Sequence, residues 1–217
     1  MENIMQDIFL SFNMMVQDNE DIITPTLESI KRFMDHHPGK CELVIVDGGS
    51  TDKTVEICNR FTDRVHEKKF EKDFSEQKNF LNSKSMGRWI FNIDSDEILT
   101  EELIHTLYAM LMLPQNQETD LIYIPRVNRV VGLTEGHIAK WGWRVDKDGD
   151  INYPDYQARI YKNKPGLHWE GKVHETIVGF ESYGSIPMEK HHRLYLVHNK
   201  SIERQVKQNE LYDTIVR

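Results

Sequence analysis

Over the first 125 positions, short apolar runs alternate with segments that repeat apolar residues every three or four places. Runs at 8–13, 42–46, 64–67, 88–93 and 121–125 read as strands buried on both faces. Helical periodicity fills the gaps. Thr24-Pro25 reads as a cap and first helical position ahead of Leu27, Ile30 and Phe33. Ser50 or Asp52 can cap a segment carrying Val55, Ile57 and Cys58. Phe74, Phe80 and Leu81 mark a third helix, and Leu103, Leu107, Met110 and Leu111 a fourth. After about residue 126 the rhythm changes to short β-like runs at 127–133, 157–161, 173–178 and 194–197, broken by Gly, Pro and aromatic residues. Residues 202–216 read as an amphipathic helix.

Strand–helix alternation predicts right-handed crossovers and an α/β fold: a mostly parallel, Rossmann-like sheet with helices on both faces, followed by a β-rich half. No repeat or linker divides the chain, so residues 1–217 are expected to form one domain with halves at about 1–125 and 126–217. In sheets of this kind ligands sit beyond the carboxyl ends of the strands. Two polar clusters obey that rule: Asp47-Gly48-Gly49 follows VIV, and Asp94-Ser95-Asp96 follows WIFNI.

Charge adds one distinction. Residues 1–120 carry 12 Lys and Arg against 23 Asp and Glu, and the remainder 15 against 12. An acidic first half argues against a broad DNA-binding face and suits a cation site. No apolar stretch reaches the ~20 residues of a membrane span. The opening MENIMQDIFLSF has no basic leader region and reads directly into a strand, so a cytoplasmic protein is expected. Cys41 and Cys58 make neither a metal pattern nor a disulfide framework and are assigned to packing.

In NIDSDE, Asp94 and Asp96 stand at alternate positions. On extended backbone such side chains point the same way, which lets both face one cation. The plainer reading is a solvated turn whose carboxylate caps the next helix. In VIVDGGSTDKT, Asp47 ends a strand and can accept hydrogen bonds from a base or ribose, while Asp52 is expected to cap. Neither G-x-G-x-x-G nor G-x-x-x-x-G-K-[ST] is present, which leaves a dinucleotide site or P-loop unsupported.

Asp18-Asn19-Glu20 after the first strand, then VDGGSTDKT, then FSEQKNFLNSKSMGRWIFNIDSDE, resemble the family 2 glycosyltransferases of GT-A fold. QARIYKNKPGLHWEGKVHETI is similar to a bacterial branch with lipopolysaccharide-core and peptide-modifying members. The resemblance implies a nucleotide-binding half at about 1–125 and an acceptor and catalytic half at about 126–217. It implies transfer of a sugar, with inversion, from a nucleoside-diphosphate sugar, UDP-linked by expectation, to an acceptor hydroxyl. The acceptor class (glycan, protein side chain or modified nucleobase) stays open. Asn19, Glu20, Asp47, Lys78, Asp94 and Ser95 would line the nucleotide-sugar site, although Gln77-Lys78-Asn79 stands where the family often has Ala-Arg-Asn. Asp94 and Asp96 would hold Mn2+ or Mg2+, with Asp96 the closer ligand, and His198 would complete the shell. The family's Glu-Asp base pair is missing after residue 97. Glu175 aligns best as the base, with Glu170 as competitor, and His174 would orient Glu175, pack, or ligate. Trp141, Trp143 and Trp169 offer faces to an acceptor ring or to the core; Trp89 belongs to the core.

Two other classes fit less well. A sugar-phosphate nucleotidyltransferase needs a glycine- and base-rich loop after strand one, where this chain has MMVQD. A non-catalytic sugar-nucleotide-binding subunit has no need of the intact acidic pair.

Overall fold

The structure is a computed structural model and describes residues 7–216. Its strands are β1 (Leu10–Val16), β2 (Cys41–Asp47), β3 (Val65–Glu67), β4 (Trp89–Asn92), β5 (Glu97–Leu99), β6 (Leu121–Val131), β7 (Ile151–Lys162), β8 (His168–Glu170), β9 (Thr176–Val178), β10 (Tyr183–Ser185) and β11 (Leu196–Ser201). The helices are α1 (Ile23–His36), α2 (Thr54–Cys58), α3 (Phe74–Asn82), α4 (Glu101–Met112), α5 (Pro114–Gln117), α6 (Glu135–Trp141) and α7 (Ile202–Val216).

One nine-stranded sheet runs through both halves in the order β3-β2-β1-β4-β7-β6-β11-β5, with β10 also pairing with β6. The β3-β2-β1-β4 section is wholly parallel; β7 enters antiparallel between β4 and β6. The mostly parallel α/β sheet is therefore as expected. Every residue of β2 is buried, as a strand covered on both faces requires. The core stacks Phe12 between Phe33 of α1 and Phe91 of β4, with ring centroids 5.1 and 5.4 Å apart. Trp89 is fully buried, as assigned.

Several boundaries move. The runs at 121–125 and 127–133 are one strand, β6, despite Pro125. Proline is tolerated there because β10 pairs with residues 121–123 and β11 only from 126 onward, leaving its missing N–H at the gap between them. Helix α1 begins one residue before Thr24, without a side-chain cap. The cap residue of α2 is Lys53, although Asp52 Oδ1 accepts the Thr54 N–H at 2.9 Å. Only residues 176–178 of the 173–178 run are strand; the rest forms a loop. No helix among the described residues is long and apolar enough to cross a membrane.

Candidate functional site

A cavity of about 1060 Å3 opens where β1 and β4 end, and α7 lies along its rim. It has two kinds of wall. On the first half the wall is loops. The segment after β1 is zipped to the segment after β2: Asp18 Oδ1 accepts from Thr51 N at 2.8 Å, Thr54 Oγ1 from Asn19 N at 2.7 Å, and Asp52 Oδ2 from Glu20 N at 3.0 Å. Glu20 Oε2 in turn accepts from Lys53 N at 3.0 Å. Asn19 lines the cavity, but Glu20 does not. Asp47 is also absent from the wall: its carboxylate is spent on its own turn, accepting from Gly49 N at 3.0 Å and from Ser50 N and Oγ. Gly49 makes that turn possible at φ +101°, where a side chain is strained.

The second half contributes strand faces. Residues two apart on a strand share a side. Asp155, Gln157 and Arg159 of β7, Arg126 and Asn128 of β6, and His198 and Lys200 of β11 all line the cavity. Register sets them opposite one another: Arg126 faces Asp155, and Asn128 faces His198.

The D-x-D follows β4 as a turn, closed by Glu97 N donating to Asp94 O at 3.0 Å, so the extended-backbone argument does not apply. Asp94, Ser95 and Asp96 still line the cavity, but the two carboxylates have separate partners. Arg159 donates to both Asp94 and Glu97, and Arg126 reaches Glu97 at 2.8 Å and Asp155 at 2.7 Å. Glu97 is fully buried, whereas 41% of the Asp94 side chain opens into the cavity, so Asp94 alone of that pair is accessible to a ligand. Burial opposes ionisation of Asp94, yet Arg159 and Lys78 hold its carboxyl at about 2.

Asp96 turns to β11. Its Oδ2 lies 3.2 Å from His198 Nε2 and 3.5 Å from Lys200 Nζ. Burial resists its charge as well, but the hydrogen bond and charge of His198, then the charge of Lys200, keep the carboxyl well below the usual range. His198 Nδ1 lies 2.7 Å from Asn128 Oδ1. An amide oxygen can only accept, so Nδ1 donates to it, and Nε2 is the nitrogen directed at the carboxylate. A ring oriented by an outer partner and placed beside a carboxylate offers donors of the kind that can hold a divalent cation. Asp94 is paired with Arg159, and among the described residues Asp94, Asp96 and His198 do not come together as a close three-ligand cluster. Among the described residues the only such acidic or histidine cluster is Asp146, Asp148 and Asp150, and Lys190 Nζ already sits 2.5–3.1 Å from all three.

The two base candidates separate. Glu175 lines the cavity, its Oε1 accepting from Lys78 Nζ at 2.5 Å. Glu170 is exposed, 3.0 Å from His168 Nε2, and contributes nothing to the wall. Trp143 lines the cavity, and the ring of Trp141 is tilted against it, with centroids 4.6 Å apart and planes at 46°. Trp169 is buried, its Nε1 donating to Tyr161 Oη at 3.0 Å, so it serves as floor. His174 packs against Tyr212 of α7, centroids 5.4 Å apart.

Arg126, Asn128, Asp155, Arg159 and Lys200 escaped the sequence reading. Their signal was alternation: D-Y-Q-A-R and R-V-N place polar residues at every second position.

Comparison with known proteins fits this geometry. Residues 11–172 match the family model for glycosyl transferase family 2. A Rickettsia felis protein described as an uncharacterized glycosyltransferase is 33% identical, over 72% of this chain and 60% of its own length. Glycosyltransferase GlyG of Streptococcus pneumoniae serotype 4 is 30% identical, over 44% of this chain and 33% of its own. The chain thus spans between a third and three fifths of the length of these two relatives. Among solved structures, S. aureus TarS 1–349 in complex with UDP-GlcNAc is similar with a TM-score of 0.60 at 15% identity, over 89% of this chain and 59% of that one. That likeness shows a shared GT-A fold. With the family model matched across most of its length, this chain belongs to glycosyl transferase family 2.

Proposed function

We propose that the chain transfers a sugar from a nucleoside-diphosphate sugar, UDP-linked by preference, to an acceptor hydroxyl with inversion. One observation carries this reading: the Asp96–His198 pair and the Glu175 carboxylate line the same cavity. The donor enters along the loop wall at Asn19, and Asp94 and Ser95 face its ribose and diphosphate. Asp96 and His198 would hold Mg2+ or Mn2+, with Asn128 fixing the ring. When bound, the cation supplies Lewis-acid stabilisation of the diphosphate leaving group.

The remaining chemistry belongs to side chains. The acceptor hydroxyl lies near Trp143, whose ring face covers the C–H face of a sugar. Its oxygen forms the new bond to the anomeric carbon as the bond from that carbon to the diphosphate oxygen breaks. Glu175 takes the hydroxyl proton, and UDP leaves with the electron pair. The acceptor's class, a glycan such as a lipopolysaccharide core or a peptide side chain, is set by the residues around Trp143.

Thermal shift with UDP-, GDP-, CMP- and dTDP-sugars, with and without manganese, tests the donor. UDP-sugars should stabilise the chain most, and only with the cation. Stabilisation by none of them sinks the reading. Glu175→Gln should lower kcat about 10²–10⁴-fold with little change in donor binding.

A further inference from the structure

We infer that Lys78 is a positioning residue for Glu175 and acts through that carboxylate rather than on the donor diphosphate. The inference rests on Glu175 being the proton acceptor. Lys78 and Glu175 are 97 positions apart, yet the ammonium meets Oε1 at 2.5 Å, and the side chains are 5% and 14% exposed. The ammonium also stands 4.1 Å from the centroid of the Trp169 ring. A cation seated on an indole and bonded to a carboxylate has little freedom to swing toward another anion. Moving it would strand Glu175 without its counter-charge.

The surroundings are built to the same end. Asp73 caps α3 through Glu76 N at 2.9 Å, so Phe74, Lys78 and Asn79 present fixed directions. Asn79 grips β8, where the chain enters the loop that leads to Glu175, twice, donating to Trp169 O at 2.8 Å and accepting from Trp169 N at 2.8 Å. Phe74 N donates to Lys172 O at 3.0 Å. Between these anchors the chain passes through Gly171 at φ +99°, and just after them through His174 at φ +54°. The second is uncommon for a residue with a side chain and turns Glu175 inward. A Cβ at Gly171 would lie 3.4 Å from Glu175 Cα, so the loop also folds tightly on itself. Helix α3 therefore holds the loop by its backbone through Asn79 and Phe74, and its functional end by charge through Lys78.

The test compares wild type, Lys78→Met, Glu175→Gln and the double variant. It reads UDP release from the sugar nucleotide selected by thermal shift, with water as acceptor, and UDP affinity by calorimetry. Lys78→Met should lower kcat about 10–100-fold while donor KM and UDP affinity stay within about twofold. In the Glu175→Gln background the same change should cost less than about twofold in kcat, because its route of action is gone. Losses that multiply, or UDP affinity falling as far as kcat, would overturn the inference and return Lys78 to the diphosphate. If Lys78→Met does not fold, the double variant decides: its kcat should equal that of Glu175→Gln, and a lower value overturns the inference. Full kcat in Glu175→Gln removes the base, and Lys78's role with it. That outcome differs from a failure of Lys78 alone.

Discussion

The loop wall and the strand-face wall of the cavity solve one problem by different means. In the first half, polar residues gather in contiguous loops beyond parallel strands, and most of their hydrogen-bonding capacity goes to holding those loops together. Asp18, Glu20, Asp47 and Asp52 all end on backbone N–H groups of the zipper or their own turn. In the second half, polar residues sit at every second position of β6, β7 and β11, and their charges are answered across strands. Arg126 and Arg159 answer Asp94, Glu97 and Asp155; His198 and Lys200 answer Asp96. A conspicuous motif is therefore largely scaffold, while an inconspicuous alternation provides much of the charged surface. Loop backbones need many acceptors, whereas a sheet already satisfies its own and leaves side chains free for a ligand.

The contrast can be broken by mutation, beginning with the largest effect. Arg159→Ala takes one of two arginines from fully buried Glu97, leaving Arg126 at 2.8 Å, and should cost about 2–3 kcal/mol in urea unfolding; a loss below about 1 kcal/mol would show the strand face is not charge-locked. Asn128→Ala frees the His198 ring and should weaken Mn2+ affinity about 10–100-fold, measured by calorimetry with UDP present. An unchanged affinity would remove His198 from the cation. In the loop wall, Asp52→Ala loses acceptors for Glu20 N and Thr54 N but leaves no buried charge, so about 1 kcal/mol is expected. A cost equal to that of Arg159→Ala would erase the distinction between walls.

Acid separates the walls too. Asp94 has a folded pKa of about 2, below that of an unfolded aspartate near 3.9. Its contribution to stability is complete above the unfolded value and disappears as pH falls from about 4 to about 2. Unfolding midpoints of Asp94→Asn and wild type should thus converge over that window; a constant gap would place the Asp94–Arg159 pair outside the acid response. The smallest effect belongs to Glu170→Gln, which should leave kcat within about twofold, since that carboxylate faces solvent. A loss matching that of Glu175→Gln would reopen the choice of base.

Much of the parallel section was legible in the chain, since fully buried strands such as β2 are near-continuous apolar runs and their loops are contiguous polar text. The second half was harder. Alternating polar residues on β7 look the same whether they face a cavity or bulk water, and β6 was split in two because Pro125 reads as a breaker until β10 and β11 are seen to leave its gap. Glu175 and Glu170 could not be told apart by type or spacing. The positive φ of His174 and the grip of Asn79 turned one inward and left the other outside.

The sequence by itself determined the α/β alternation, the placement of Asp47 and of Asp94–Asp96 after their strands, and the family, because these depend on neighbours in the chain and on apolar periodicity. Only the tertiary structure decided how the charges pair. It gave Asp94 to Arg159, Asp96 to His198, and Lys78 to Glu175, across separations of 65, 102 and 97 residues. Such pairs are set by strand order, register and burial, and a desolvated charge takes whichever opposite charge the fold brings within reach.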